Sequence, residues 1–169
     1  MTLERIDSSG STYLISGNTY LFRRARKADV PEIVALLAAD SIRASEFRFG
    51  EAELAGYANA FHAIDADPAQ LLVSVEDADE DIVGTMQLTF IPGLSRGGAT
   101  RMQIEAVRVA DDQRRNGLGS AMIRWAVDRA RERGARMVQL TSDARRADAH
   151  RFYERLGFEA SHVGFKLFL

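Results

Sequence analysis

The sequence predicts a mixed α/β (α+β) domain in which helices flank one mostly antiparallel β-sheet. Strand-like and helical segments interchange along the chain without the regular strand–helix repeat of a parallel sheet. The length of 169 residues suits one ordinary domain. A hydrophobic share of 46% can fill a core, and three prolines give no sign of a long disordered linker.

The first half of the chain opens with a polar segment, residues 1–19, which we treat as an N-terminal extension of a single domain over residues 20–169. Only its TYLI stretch could form a strand, and an ordered extension and a loose tail both fit its composition. A strand is predicted for Tyr20–Ala25. Asp29 then suits a helix N-cap, with Pro31 just inside the helix. A second helix is predicted for roughly Glu51–Ile64.

The second half reads as strands separated by helical stretches. Two strands joined by the turn sequence DADE form a hairpin, and a glycine-rich turn leads to a third strand. Gly134 ends a long amphipathic helix, and Gly157 ends a short one. The predicted strands are Leu71–Glu76, Asp81–Ile91, Met102–Val109, Arg136–Thr141 and 162–169, and the helices are Leu118–Arg133 and 147–157.

Composition excludes several classes of function. The net charge of −2 provides no overall positive field for nucleic acid. Because the chain has no cysteine, thiol nucleophiles, disulfides and thiolate metal sites are excluded. No apolar run reaches membrane-spanning length, and the N-terminus lacks the apolar stretch of a signal peptide. We therefore expect a cytoplasmic protein without membrane or nucleic-acid partners.

The stretch VRVADDQRRNGLGSAM, from Val107 to Met122, indicates an anion site. Unpaired amides and the dipole make a helix N-terminus attractive to anions. Gly117 and Gly119 give a phosphate access to these amides, while Ser120 adds a donor. Arg114 and Arg115 add charge and bidentate geometry. A tight turn without a ligand is the alternative interpretation.

Two nucleotide motifs do not fit this stretch. A dinucleotide fingerprint requires a third glycine where Met122 stands, and it normally follows the first strand. A Walker loop requires lysine before serine or threonine, and the neighbourhood has no lysine.

Three motifs together resemble the GCN5-related N-acetyltransferase (GNAT) family. The stretch QRRNGLGSAM is similar to its acyl-CoA pyrophosphate motif, FRRARKADVPEI to its opening strand and helix, and HRFYERLGF to its late Tyr-x-x-x-Gly-Phe signature. The resemblance covers roughly Tyr20–Leu169. The segment from Asp143 to Leu169 resembles small-molecule acetyltransferases such as the aminoalkylphosphonate N-acetyltransferases.

The resemblance implies a GNAT-type splayed sheet and acetyl-CoA as co-substrate. In the family, the strand before the phosphate turn holds the pantetheine arm and helps to polarise the thioester carbonyl. The corresponding groups here belong to Ala106, Val107, Arg108 and Val109. The resemblance assigns the phosphates to Arg114, Arg115, Asn116, Gly117, Leu118, Gly119 and Ser120.

Two residues are candidates for proton transfer. Strand alternation places Glu105 on one face with Val107 and Val109, an unusual place for a solvated carboxylate. The family often has its catalytic glutamate here, so the resemblance implies that Glu105 is the general base; a structural ion pair is the alternative. Tyr153 matches the tyrosine that protonates the leaving thiolate in many members, with core packing as the alternative.

Arg146 departs from the family pattern, in which an asparagine that contacts the cofactor is common at this position. Arg145 and Arg146 could meet a cofactor phosphate or an anionic acceptor, and solvated arginines fit equally well. His62, His150 and His162 lack metal-ligand spacing, and we expect no metal.

The acceptor is expected to be a small-molecule primary amine, attacked directly in a ternary complex. Protein N-terminal or lysine acetylation and non-catalytic acyl-CoA binding are the alternatives. Acceptor choice in this family falls to the first two helices, the loop between them and the final hairpin. An acceptor with a carboxylate or phosphonate would suit arginines in or near these segments, namely Arg43, Arg48, Arg96 and Arg101. Open sheet edges further suggest a homodimer.

Overall fold

The computed structural model describes residues 10–40, 42, 45 and 47–169. Its centre is a six-stranded sheet with the strand order β1-β2-β3-β4-β5-β6. All neighbours are antiparallel except β5 and β6, which are parallel. The strands are β1 (Ser11–Ile15), β2 (Asn18–Arg24), β3 (Gln70–Glu76), β4 (Ile82–Ile91), β5 (Arg101–Val109) and β6 (Met137–Leu140).

Helices lie on both faces of this sheet. They are α1 (Val30–Ala38), α2 (Glu51–Ala66), the one-turn α3 (Ser95–Gly98), α4 (Leu118–Glu132) and α5 (Ala147–Arg155), with short 3-10 helices at Lys27–Asp29 and Asp111–Gln113. The predicted mixed fold with a mostly antiparallel sheet is confirmed.

Two apolar clusters hold the layers together. The larger joins the sheet to α4, whose buried face includes Met122, Ile123 and Ala126 as its helical spacing predicts. The smaller joins α1 and α2 to the other face through Ile33 and Phe61. Among the described residues, no helix combines the length and apolar character needed to cross a bilayer.

The polar N-terminal segment contributes a strand. TYLI lies within β1, which forms a hairpin with β2 through Ser16 and Gly17, both at positive φ. Residues 11–15 therefore form a strand, which agrees with the ordered alternative, whereas the domain boundary at residue 20 stays a prediction.

The predicted last strand, residues 162–169, is wrong for the single chain. These residues are exposed and belong to no strand of the sheet. Alternation of apolar side chains can favour a strand locally, but a strand also requires a neighbour to bond its backbone.

Asp29 also differs from its predicted role. It stands at the N-cap of α1, but its carboxylate makes no capping bond to that helix. The carboxylate instead binds the buried guanidinium of Arg23 at 2.6 Å, the amide of Arg26 at 2.7 Å and the Ser74 hydroxyl at 2.9 Å. Arg23 also binds Glu76, its Nε lying 2.8 Å from Oε1. This network joins β2 and β3 to the start of α1.

Charge on Asp29 should therefore support the fold. Burial raises the pKa of its carboxyl, but the hydrogen bonds from Arg23, Arg26 and Ser74 outweigh burial, and the pKa lies below its ordinary value. A lowered native pKa means that stabilisation is complete above the unfolded-state pKa of about 3.9 and disappears as pH falls through the native pKa.

Asp29→Asn is expected to lower the free energy of unfolding at pH 7 by about 3 kcal/mol, because Arg23 loses a buried charged partner. The difference from the wild type should shrink on acidification below about pH 4. Urea denaturation measures both effects. Asp65→Asn is the control, since its exposed pair with Arg24 at 3.4 Å should contribute less than about 1 kcal/mol. Equal losses in the two variants would contradict this role of Asp29.

Candidate active site

Strand β5 contains one extra residue beside β4. Gln87 pairs with Glu105, but the next pair along the strands joins Thr85 to Arg108, so the register shifts by one residue. Ala106 lies in the interval with a φ of 55°. This two-against-one arrangement is a β-bulge, which bends a strand and redirects its side chains.

The bulge changes which side chains share a face. Ile104 lies opposite Leu88 and Val109 opposite Gly84, so Val109 belongs to the face of Ile104 that packs toward α4. Glu105 and Arg108 lie together on the other face. The predicted common face for Glu105, Val107 and Val109 is therefore wrong, because simple alternation does not allow for an extra residue.

Beyond Ile104 the outer edge of β5 has no strand of the described structure beside it, and this gap is here called the opening. Their parallel pairing runs from Arg101 opposite Met137 to Ile104 opposite Leu140, and β5 continues to Val109 without β6 beside it. Glu105 and the bulge thus lie along the part of β5 that pairs with β4 but not with β6, here called the unpaired part. The predicted splay of the sheet is present at this point.

The glycine-rich turn follows directly from this part of β5. Arg115 has a φ of 68°, and Gly117 has a φ of 81° at the N-cap of α4. A β-carbon added at Gly119 would lie 3.7 Å from Cζ of Phe152 and 3.8 Å from Cγ2 of Val109. The turn therefore joins the end of β5, the start of α4 and α5 closely.

This turn fits the phosphates of an acyl-CoA. The first amides of α4 have no partner within the helix, and Gly117 exposes the backbone in front of them. Arg115 is exposed and makes no ion pair within the described chain. Arg114 instead binds Asp111 at 2.7 Å and donates from Nε to the Val109 carbonyl at 3.4 Å.

Two contacts hold the turn from outside. The buried Tyr20 donates its hydroxyl proton to Oε1 of Gln113 at 2.7 Å. A β-carbon added at Gly117 would lie 3.6 Å from the Ser16 hydroxyl and 3.7 Å from Ile15. The β1–β2 hairpin therefore lies against the turn.

A carboxylate–arginine cluster lies on the same side of the sheet as Glu105. Nη2 of Arg108 lies 2.6 Å from Oδ2 of Asp40, and Nη2 of Arg146 binds the same oxygen. Burial raises the pKa of Asp40, but the hydrogen bonds from Arg146 and the Ile42 amide, with the charges of both arginines, bring it below its ordinary value. The cluster joins the end of α1 to β5 and to the start of α5.

Tyr153 lies beside this cluster. Its ring packs edge-on against Phe152, with centroids 5.1 Å apart, and against Phe158 at 5.9 Å. Burial raises the pKa of its phenol above the ordinary value, against the lowering effect of the Arg108 and Arg146 charges. The phenol is therefore protonated at neutral pH.

Sequence reasoning missed Asp40. Its partners lie 68 and 106 residues along the chain. One signal was available, because a carboxylate just after a helix C-terminus is disfavoured by the helix dipole. Arg146 is not simply the solvated arginine of the alternative prediction, because it binds Asp40; its contact with a cofactor phosphate or an anionic acceptor stays a prediction.

Three of the other arginines predicted for an anionic acceptor are described, and one of them, Arg101, begins β5. Arg43 lies outside the described residues. Arg48 is bound to the carbonyls of Ser45 at 2.5 Å and Phe47 at 2.9 Å. Arg96 lies before the other end of β5, and the strand from Arg101 to Glu105 alone spans roughly 13 Å.

His150, His162 and Arg145 have local partners. Nε2 of His150 lies 2.9 Å from the Asp143 carbonyl, and His162 is bound to Ser161. Arg145 is exposed and pairs with Asp143. Within the described ranges, no group of three or more potential metal ligands comes together.

Residues 36–158 match the sequence profile of the Acetyltransferase (GNAT) family, which is most of the chain. The chain belongs to the GNAT family. It therefore carries an acetyl-CoA-dependent acetyltransferase domain, as its motifs predict.

Three similar proteins illustrate the relationship. The aminoalkylphosphonate N-acetyltransferase of Salmonella typhimurium is 38% identical over 63 residues, which is 37% of this chain and 41% of that protein. The streptothricin acetyltransferase of Streptomyces lavendulae is 29% identical over 84% of this chain and 82% of its own length. A crystal structure from Bacillus halodurans C-125, described as a transcriptional regulator, has a TM-score of 0.84 and 39% identity over 89% of this chain and 99% of its own.

Gly117→Ala is expected to weaken binding of CoA about tenfold or more, because the methyl group would block the amides at the start of α4. Gly134→Ala is the matched control. Gly134 follows the end of the same helix with a φ of 70° and has open space around it, so both variants acquire similar backbone strain but only Gly117 belongs to the predicted phosphate turn. Isothermal titration calorimetry with CoA measures the difference. Equal affinities in the two variants would remove the phosphates from this turn.

Proposed function

We propose that this GNAT domain transfers the acetyl group of acetyl-CoA to a primary amine of a small molecule, by direct attack in a ternary complex. The observation that carries the proposal is the unpaired end of β5. There the bulge, Glu105 and the phosphate-compatible turn follow one another along nine residues of strand and the loop after it. Relatives named for small acceptors, an aminoalkylphosphonate and streptothricin, support a small-molecule substrate.

The co-substrate would lie along this part of the chain. Backbone groups from Ala106 to Val109 would hold the pantetheine arm and polarise the thioester carbonyl. The amides and side chains from Arg114 to Ser120 would bind the pyrophosphate. The positive φ of Ala106 supports this assignment, because it turns backbone groups of the bulge out of the ladder between β4 and β5.

Glu105 would remove the proton of the amine. An alkylammonium has a pKa of about 10.4, so a base must deliver the free amine at neutral pH. Glu105 is exposed on the unpaired part of β5 and makes no ion pair among the described residues, which favours the base over the structural ion pair. Proton transfer directly or through one water satisfies this role.

Tyr153 would supply the proton for the leaving group. The amine nitrogen forms the new C–N bond at the thioester carbonyl carbon, and the C–S bond breaks. One proton of the alkylammonium passes through Glu105 to solvent before the attack, and the second passes to Glu105 as the C–N bond forms. The thiolate takes the phenolic proton of Tyr153, and water then carries the proton from Glu105 back to the phenolate. The raised pKa of the phenol supports this assignment, because it keeps the proton available until the thiolate forms.

Arg146 makes an amine with an anionic group the favoured acceptor. A guanidinium has five N–H donors, and Arg146 gives one to Asp40. Its side chain is 27% exposed beside Tyr153, so the remaining donors can reach a carboxylate or phosphonate. This assigns to Arg146 the role that the sequence suggested for Arg43, Arg48 and Arg96.

An acceptor screen tests the function. Acetyl-CoA is supplied with small primary amines, and free thiol release is measured. Matched pairs such as aminoalkylphosphonates and the corresponding alkylamines test the anionic group, and we expect the phosphonate member to have the higher kcat/KM. Peptides with a free N-terminus or a lysine form the comparison arm. Turnover of peptides alone would replace the small-molecule proposal, and CoA binding without turnover of any amine would indicate a non-catalytic binder.

Glu105→Gln and Tyr153→Phe are each expected to lower kcat about 100-fold or more while leaving the affinity for CoA unchanged. Loss of proton transfer, rather than loss of cofactor binding, is the physical reason. Glu154→Gln, an exposed change next to Tyr153 on α5, is the control and should retain wild-type kinetics. Unchanged turnover in both of the first two variants would refute the proposed proton transfers.

A further inference from the structure

The segment 159–169, here called the arm, carries an unusual concentration of exposed apolar side chains. Among the described residues, nine large hydrophobic side chains are exposed, and five of these lie in the last seven residues of the arm. Their exposed fractions run from 80% to 116% for Val163, Phe165, Leu167, Phe168 and Leu169. Contiguous apolar exposure of this kind marks an interaction site rather than ordinary surface.

The arm has the pattern of a half-buried strand. Val163, Phe165 and Leu167 alternate with residues of the opposite face, namely His162, Gly164 and Lys166. This period of two places Val163, Phe165, Leu167 and Leu169 on one face, and of the five exposed apolar side chains only Phe168 falls on the other. The pattern predicts pairing with a sheet edge that has apolar cover on one side only.

The arm does not reach the sheet of its own chain. The chain turns at Gly157, with a φ of 90°, after the end of α5. Beyond Gly157, the backbone hydrogen bond among the described residues is local, because it joins the Ser161 amide to the Glu159 carbonyl at 3.0 Å within the arm. Residues 159–169 are all exposed.

A matching edge exists at β6. It is the last strand of the sheet, with β5 as its one neighbour, so its outer backbone groups face away from the sheet. Val138 and Leu140 are half-buried and pack against the core beneath α4. Three half-buried side chains at and after α5 pack against the same core, namely Phe152, Leu156 and Phe158. A strand added here would continue the core with its apolar face.

We propose that the arm of one copy adds to the β6 edge of a second copy, and that the second copy returns its own arm in the same way. Because donor segment and acceptor edge lie on one chain, a two-fold axis satisfies both copies at once. The apolar face of the arm, with Val163, Phe165 and Leu167, then lies beside Val138 and Leu140 of the other copy. Both copies lose an exposed edge and an exposed apolar segment. This homodimer does not depend on the proposed acetyl transfer.

Solution mass tests the assembly. Wild-type protein is expected to be a dimer by size-exclusion chromatography with light scattering, and the variant with Phe165→Glu and Leu167→Glu is expected to be a folded monomer. Leu94→Glu is the matched control, since Leu94 is 99% exposed outside the arm, and it should remain a dimer. A monomeric wild type, or a dimer that survives the two arm substitutions, would overturn the proposal.

Engineered cysteines distinguish exchange from folding back, since the natural chain has no cysteine to interfere. Gln139→Cys on β6 faces the side opposite Val138 and Leu140, where the polar residues of the arm should lie. Protein with Gln139→Cys is mixed with a differently tagged protein that carries Lys166→Cys, under dissociating and then renaturing conditions. A second mixture uses His162→Cys instead of Lys166→Cys, so that a different register of the paired strands is also tested. Both variants are also built into single chains with Gln139→Cys.

Exchange predicts a disulfide between the two tagged chains and a dimer of the doubly substituted chains on a non-reducing gel. A disulfide formed within one chain would place the arm on its own sheet and refute exchange. Failure of every mixed pair to cross-link would also refute it, because paired strands hold facing Cα atoms within the range of about 4.4–6.8 Å that a disulfide spans.

Discussion

The arrangement of the site depends on the bulge in β5. One extra residue at Ala106 places four apolar side chains of β5 on the face that packs against α4, although strict alternation would divide them between two faces. They are Met102, Ile104, Val107 and Val109. Glu105 and Arg108 are then left on the other face. A left-handed alanine is disfavoured by roughly 1 kcal/mol or more, so neighbouring packing must hold it. The packing of β5 in the core and the position of the candidate base Glu105 thus both depend on this one bulge.

The Asp40 cluster supplies the second constraint. A single carboxylate binds an arginine from β5 and another that precedes α5, and it stands at the end of α1. Three separate elements are thereby fixed around Tyr153. The buried network of Arg23 and Asp29 performs a different task, because it joins β2 and β3 to α1 away from the opening. One cluster of opposite charges therefore shapes the site and the other supports the scaffold.

Sequence reasoning succeeds where the signal is local. Helical spacing identifies the buried face of α4, and Gly117 with its neighbours identifies the turn before it. It fails where distant contacts decide. The bulge lies at an alanine rather than at a glycine, so the sequence does not mark it, and Asp40 meets its partners only after folding. Residues 162–169 have strand alternation, but the partner that a strand requires is absent from their own chain.

The bond from Tyr20 to Gln113 has a thermodynamic consequence. Tyr20 is fully buried in β2, and the β1–β2 hairpin also lies against Gly117. An edge hairpin held partly by the phosphate turn is a local unfolding unit whose opening disturbs that turn. A ligand that binds only the closed turn therefore opposes opening of the hairpin, by an amount that grows with the logarithm of its concentration. Phosphate binding at the turn, as proposed above, would in this way stabilise the hairpin at the edge of the sheet opposite β6.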